Sequence, residues 1–327
     1  MIASTLTLGI DVGGTKTACV VTDVDDTMLH HEVEPTQPNR LAGQLSDIAR
    51  RALEQFAANG AGPITAVGIA VPGHVEPGTG NVGLAVNLGG SDIALGSLVE
   101  ESVGLPCFVE HDARAAAAWL HATASDANAG DDMAYLSVGT GVSAGIVLDG
   151  RVLRGANGLA GEVGHIVADP NGGQCACGLL GCVELVAAGP AIARAARQAV
   201  AEGRSTTLPP DASAADVFLA ATAGDAVAVE LANTIAERLA RAIRGLVLTL
   251  GVNHVIVGGG VAAAGDALLS RLLDAIRRER AVSPLIEAAF AESTIEVLAP
   301  QMEAGARGAA AIARRRVEAQ REGVGYR

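Results

Sequence analysis

Aromatic residues are scarce: one tryptophan, two tyrosines and four phenylalanines make up 2% of a 327-residue chain. Aromatic residues are enriched at interfaces, so this low content points to no clear interface. No stretch reaches the ~18–20 unbroken apolar residues that span a bilayer, and no membrane partner is expected. Basic charge is also short. Twenty-three Lys and Arg face 36 Asp and Glu, a formal net charge of −13. A nucleic-acid surface needs a basic footprint, so no nucleic acid is expected. An anionic substrate would need a local cradle or a metal ion against this background. The opening MIASTLTLGIDVGG lacks a basic n-region and runs straight into a glycine motif, so no signal peptide is expected. With only five cysteines, the chain reads as a reduced, cytoplasmic protein. The Walker A pattern GxxxxGK[ST] is absent.

What is present is aliphatic and rich in glycine. Half of the residues are hydrophobic and 41 are glycine, in a chain long enough for two domains with their own cores. LTLGIDVGGTKTACVVTD reads as strand, glycine turn, strand. Residues 41–58 follow a helical period, with Leu41, Leu45, Ile48, Ala49, Ala52, Leu53 and Phe56 on one face. ITAVGIAVPG is a buried strand, and LPCFVEHDA is another that leads into a helix. MAYLSVGTGVSAGIVLDG is a second strand–glycine–strand unit. A long apolar helix is expected over 228–250, then strand HVIVGGG, helix ALLSRLLDAIRRER, strand TIEVLA and a last helix over 303–320. Residues 200–215 read as an exposed loop and the tail REGVGYR as frayed. Alternating strands and helices define an α/β class. The two hairpins echo each other: placing Asp11-Val12-Gly13 on Ser137-Val138-Gly139 also matches Ala18 to Ala144, Val21 to Val147 and Asp23 to Asp149. Two related α/β domains follow, each offering a glycine turn to a shared cleft.

The most informative segment is GEVGHIVADPNGGQCACGLLGCVE, residues 161–184. Cys175, Cys177 and Cys182 are spaced C-x-C-x4-C, with His165 ten residues upstream. Thiolates and imidazole are preferred zinc ligands, and four close a tetrahedral structural site. The competing reading is buried free thiols; ligand type and spacing favour zinc. Glu162 and Glu184 bracket the cluster. Cys19 and Cys107 lie in apolar strand-like runs and read as core.

Gly13-Gly14-Thr15-Lys16 and Gly139-Thr140-Gly141 are turns whose backbone amides can converge on phosphate. They can equally be plain hairpin turns. Asp11, just before the first, is placed to hold Mg²⁺ through water, and Lys16 offers a positive charge. A third run, Gly258-Gly259-Gly260, ends a strand and opens a helix, a place where nucleotides approach. Asp112 follows a strand end. It can take a proton from a hydroxyl during phosphoryl transfer, or cap the helix that follows.

Taken together and in order, GIDVGGTK, VPG, VEHDARAAA, LSVGTGVSAGIVLDGRVLRGANGLAGEVGHI, CACGLLGCVE and VIVGGGVAAAGD resemble the ROK family of bacterial sugar kinases, repressors and related proteins, nearly end to end. The resemblance implies the actin-like ATPase (ribonuclease H-like) fold, two duplicated α/β domains around a cleft. It implies a small domain over 1–114, completed by the C-terminal helix at about 303–327, and a large domain over 115–302 carrying the zinc loop. It is strongest to the ATP-dependent glucokinase branch and implies transfer from ATP with Mg²⁺ to the 6-hydroxyl of a hexose. Asp112 would be the general base. Gly73, Asn87, His111, Glu162, His165 and Glu184 would line the sugar, His165 binding zinc through one nitrogen and sugar through the other. The first two glycine turns would hold ATP phosphates and the Gly258 run would approach the adenosine. A homodimer or homotetramer is implied. Two positions depart from the family: His111 stands where Asn is common, and Gly90 where Trp often follows Asn-Leu-Gly. Other sugars are therefore open, among them N-acetylmannosamine, N-acetylglucosamine, fructose and allose. A repressor would carry an N-terminal helix-turn-helix, for which a glycine motif beginning at residue 9 leaves no room.

Overall fold

The computed structural model describes residues 5–76, 79–83, 92–124 and 132–323. β1 (Leu6–Val12) is buried along nearly its whole length, as a near-continuous aliphatic run should be at the centre of a sheet. β2 (Lys16–Thr22) returns antiparallel to it. β3 (Met28–Pro35) alternates exposed and half-buried residues, the mark of an edge strand; its two histidines and two glutamates concealed it from the apolar pattern. α1 (Leu41–Asn59) ends at Gly60 in the left-handed region, φ 67°, a conformation glycine adopts without penalty. β4 (Ile64–Val71), α2 (Leu95–Val103), β5 (Cys107–His111) and α3 (Asp112–Thr123) follow.

The second series repeats the order: β6 (Met133–Val138), β7 (Val142–Leu148) and β8 (Arg151–Val152), then α4 (Glu184–Ala187), α5 (Gly189–Ala201), α6 (Ala214–Thr222) and α7 (Ala226–Leu250). After them come β9 (His254–Gly258), α8 (Asp266–Val282), α9 (Pro284–Ala289), β10 (Thr294–Val297) and α10 (Ala304–Glu322). The last helix thus includes Arg321 and Glu322, which the sequence reading left to a frayed tail. The sheets run β3-β2-β1-β4-β5 and β10-β9-β6-β7-β8. Both have the order third-second-first-fourth-fifth, so the echo between hairpins is an echo between whole sheets. The hairpins differ by one residue. Val12 pairs with Thr17 around residues 13–16, whereas Val138 pairs with Val142 around 139–141.

The chain divides into two units. The first holds Met1–Ala124, Arg151–Ala160 and Glu303–Arg327; the second holds Ser125–Gly150 and Gly161–Met302. The sequence reading ended the first domain at 114. The difference lies in α3, which packs on α10 within the first unit, and in Arg151–Ala160, which also belongs to that unit.

In the first unit, α1 and α2 cover one sheet face with Leu45, Ile48, Phe56, Leu95 and Val99 against Leu8, Ile10, Ile69 and Val71. The other face works differently. A methyl group built on Gly9 of β1 would lie 1.9 Å from Ala306 O, on Gly68 of β4 1.9 Å from Ala309 O, and on Gly308 of α10 1.9 Å from Ala115 O. The backbones of sheet, α10 and α3 therefore meet directly, with alanines filling the seam. This close fit seats the N-terminus of α10 beside the end of β1. Gly68→Ala should destabilise the protein by about 1–3 kcal/mol or more, since neither backbone can yield. Gly245→Ala, in a helix with nothing within 4 Å, should stabilise it by about 0.5–1 kcal/mol. Urea unfolding of both variants checks the contrast.

Candidate active site

In the first unit, three elements bring chemistry together at the strand ends. β1 delivers Asp11. The turn after it is closed by Gly13 N donating to Lys16 O at 2.9 Å, and a Cβ on Gly13 would meet that oxygen. Thr36 buttresses the turn from the end of β3, its Oγ1 donating to Gly13 O at 2.7 Å and its amide to Thr15 O at 3.1 Å. Thr15 and Lys16 are exposed and Gly14 is half-buried. Lys16 is the only lysine in the chain, all 22 other strongly basic residues being arginine. A compact, flexible ammonium at this one turn is a signal that the sequence held and composition alone did not stress.

Asp112 opens α3 directly after β5. The cap position is His111, and it makes no side-chain cap bond. The Asp112 carboxylate takes the Ala113 amide at 2.7 Å and lies 3.2 Å from His111 Nδ1, with a quarter of its side chain exposed. His111 is itself buried, at 4% exposure, so it touches the carboxylate rather than presenting an open imidazole. Gly73, with φ 97°, turns the chain away at the end of β4.

Behind Asp112 lies a network that the sequence reading missed. Glu110 is 3% exposed and Arg114 1%. Glu110 Oε1 accepts from Arg114 Nε at 2.8 Å and from the His111 amide at 2.9 Å; Oε2 accepts from Arg154 Nε at 2.8 Å. Arg114 also donates to Gly158 O at 3.0 Å. Burial raises the Glu110 pKa, and Arg154, Arg114 and the amide more than reverse that, holding it below the usual carboxylate range. The i, i+4 spacing of Glu110 and Arg114 was visible in the sequence; Arg154, 44 residues away, was not.

Glu303 was also missed. It stands at the N-terminus of α10 with φ 46°, a left-handed conformation uncommon for glutamate, and pairs with His31 at 3.3 Å. Gly305 leaves room for Asp11, whose carboxylate would lie 2.4 Å from a Cβ there. Burial, then Asp112, then Glu303 push the Asp11 carboxyl up to about 7, while Lys16 lowers it. Carboxylates that disfavour one another's charge make an oxygen set suited to a hard cation such as Mg²⁺.

In the second unit, Gly139 N donates to Gly141 O at 2.9 Å and Gly189 N to Gly139 O at 2.8 Å. Glu184 Oε2 accepts the Val142 amide at 2.9 Å, and a Cβ on Gly141 would lie 2.6 Å from that oxygen. Glu184 thus joins the cysteine-bearing loop to this glycine turn, with Thr140 exposed at its tip. Gly161 and Gly164 let the following turn lie on β7, since a Cβ would meet Ala144 O at 1.9 Å or Val142 O at 2.1 Å. That contact places Glu162 and His165. The Gly258 run, expected to open a helix, opens a short 3-10 turn, Gly260–Ala264, and α8 follows from Asp266. Gly258 is closed against Tyr135 and Gly259 against Val138, and only Gly260 faces open space.

His165, Cys175, Cys177 and Cys182 place their ligand atoms within 4.8 Å of one another. His165 Nδ1 is 3.7 Å from Cys175 Sγ, and Cys177 Sγ is 3.7 Å from Cys182 Sγ. Ligands at 2.0–2.3 Å around a tetrahedral zinc stand about 3.6–3.8 Å apart, so the set could hold that ion; a disulfide would need about 2.05 Å. Nδ1 faces the thiols, which leaves Nε2 for another partner. Asn87 and Gly90 lie outside the described residues.

Two α/β units of one topology, each with a glycine turn after its first strand, define an actin-like ATPase fold. The ROK family model matches residues 7–316. The chain is 36% identical over 275 residues to a glucokinase of Halalkalibacterium halodurans, covering 80% of this chain and 82% of that protein. It is 37% identical over 278 residues to an N-acetylmannosamine kinase of Citrobacter koseri, covering 84% and 90%. The solved ROK glucokinase of Streptomyces griseus, in complex with glucose and AMPPNP, superposes with a TM-score of 0.78 at 32% identity, covering 95% of this chain and 99% of that one. The chain belongs to the ROK family and groups with its sugar kinases.

Burial pushes the Cys182 thiol up to about 12, so to act as a ligand it would exchange its proton for a metal. Zinc loading should therefore release protons and weaken as pH falls. Competition with a chromophoric chelator at two pH values checks this, and Cys182→Ser should lose the zinc and lower the melting temperature.

Proposed function

We propose that the chain phosphorylates a hexose at its 6-hydroxyl using ATP and Mg²⁺, with glucose as the foremost substrate. The observation that carries this reading is Asp112: a part-exposed carboxylate at a strand–helix junction, anchored from behind by a buried ion network, in the unit that also holds Asp11 and the first glycine turn. Asp112 takes the proton of the attacking hydroxyl. Asp11 holds Mg²⁺ through water, an ion that offsets the charge of the transferring phosphoryl group. Gly13, Gly14, Thr15 and Lys16, with Gly139, Thr140 and Gly141, cradle the phosphates, and Gly260 with its neighbours approaches the adenosine. Glu162, Glu184 and His165 Nε2 hydrogen-bond sugar hydroxyls, with Gly73 and Asn87 completing the contacts. His165 does so from a ring fixed by zinc, which lowers the ordering entropy lost on binding.

A second reading has N-acetylmannosamine as the acceptor. It is favoured by the comparable similarity to the Citrobacter koseri enzyme and by His111, which changes the surroundings of the base. ATP turnover coupled to ADP detection across a sugar panel decides between them. Glucose should give the highest kcat/KM. Highest kcat/KM with N-acetylmannosamine would favour the second reading, and no stimulation by any sugar at millimolar concentration would overturn both. Because Lys16 is the sole lysine, the phosphate role has its own check. An amine-selective reagent should modify Lys16 alone among the side chains, and saturating Mg-ATP should suppress that modification.

A further inference from the structure

We propose that Cys19, His30 and Glu32 form a second transition-metal site, separate from the His165 cluster and suited to a thiophilic divalent cation such as Zn²⁺ or Co²⁺. The site is built by strand register. Cys19 of β2 stands directly opposite Glu32 of β3, and Val21 opposite His30. Side chains two apart on a strand share a face, so Cys19, Glu32 and His30 converge on one side of the hairpin. That side faces α1: Cys19 and Val21 belong to the core formed with it, and the His30 ring meets Phe56 edge-on at 6.2 Å. The three ligand atoms lie within 4.8 Å of one another. His30 Nε2 is 3.8 Å from Glu32 Oε2, against the about 3.4 Å that two N/O ligands span around tetrahedral zinc, a gap closed by small side-chain rotations.

Charge and access also suit a cation. Arg51 donates to Glu32 Oε1 at 3.2 Å and to Glu34 Oε2 at 2.8 Å. One guanidinium against two carboxylates leaves a net charge of −1, and Glu32 Oε2 remains turned to His30. Exposure rises from Cys19 at 2% through the His30 side chain at 20% to that of Glu32 at 41%. An ion would enter past the carboxylate and meet the sulfur last, keeping a fourth position for water. Three protein ligands with one open position bind less tightly than four and exchange more readily. The hairpin that such an ion would staple ends at Pro35, and the next residue, Thr36, supports the Gly13 turn.

The test is titration of the purified full chain, loaded with zinc at the His165 cluster, with Co²⁺ alone. A thiolate-to-cobalt charge-transfer band should saturate at one equivalent per chain and be absent in Cys19→Ser. His30→Gln keeps the core cysteine and should weaken binding by about tenfold or more, at least what the loss of an outer-shell partner costs. A folded wild-type chain with no such band, a band of equal size in Cys19→Ser, or equal affinity in His30→Gln would overturn the site.

Discussion

Two guanidinium groups converge on one buried carboxylate, and the candidate base depends on that convergence. Glu110 lies on β5, two residues before Asp112, so whatever fixes Glu110 fixes the start of α3. Arg114 reaches it from the helix that Asp112 opens, and Arg154 from the segment 151–160. A buried ion pair is weak evidence for added stability, because desolvation offsets much of the attraction. Its stronger consequence is positional. Both carboxylate oxygens are occupied by charge-assisted bonds whose geometry tolerates little movement. Removing one partner would leave an unpaired buried charge, so the network holds as a whole. Asp112 is thus a part-exposed carboxylate on a rigid mount, as proton transfer to a positioned group requires.

The same principle recurs at other points of the molecule. Glycines let α10 press on the sheet until backbone meets backbone, which seats Glu303 and Gly305 beside Asp11. Glycines also let the turn carrying Glu162 and His165 lie on β7, while Glu184 bonds an amide of the second glycine turn. Four donors at zinc spacing lie in the same loop, where a bound ion would fix it. Polar groups that would each lose freedom on binding are held in place beforehand, which is how a protein with few aromatic side chains can recognise a polar ligand.

Much of this was legible in the sequence because it is local. Strand–glycine–strand runs announced both hairpins, their echo anticipated two sheets of one topology, and Cys175, Cys177, Cys182 and His165 lie close enough in sequence to be read as a set. What escaped was non-local or polar. β3 carries histidines and glutamates where an apolar alternation was sought. Arg154 reaches Glu110 across 44 residues, and the charge of Glu303 acts on Asp11 only because the chain's last helix returns to its first strand. The matched hairpins hid a one-residue difference in turn length that only pairing reveals. His111, read as a pocket residue, proves buried against Asp112, so its effect on substrate choice would act through the base.

The most direct test of the account is single-turnover phosphoryl transfer by Asp112→Asn, with saturating Mg-ATP and sugar. The substitution keeps shape and removes the proton acceptor. The account predicts a fall in rate of about 10²–10⁴-fold, with zinc content, melting temperature and sugar affinity close to those of the wild type. A rate within a few-fold of wild type in the folded variant would contradict it.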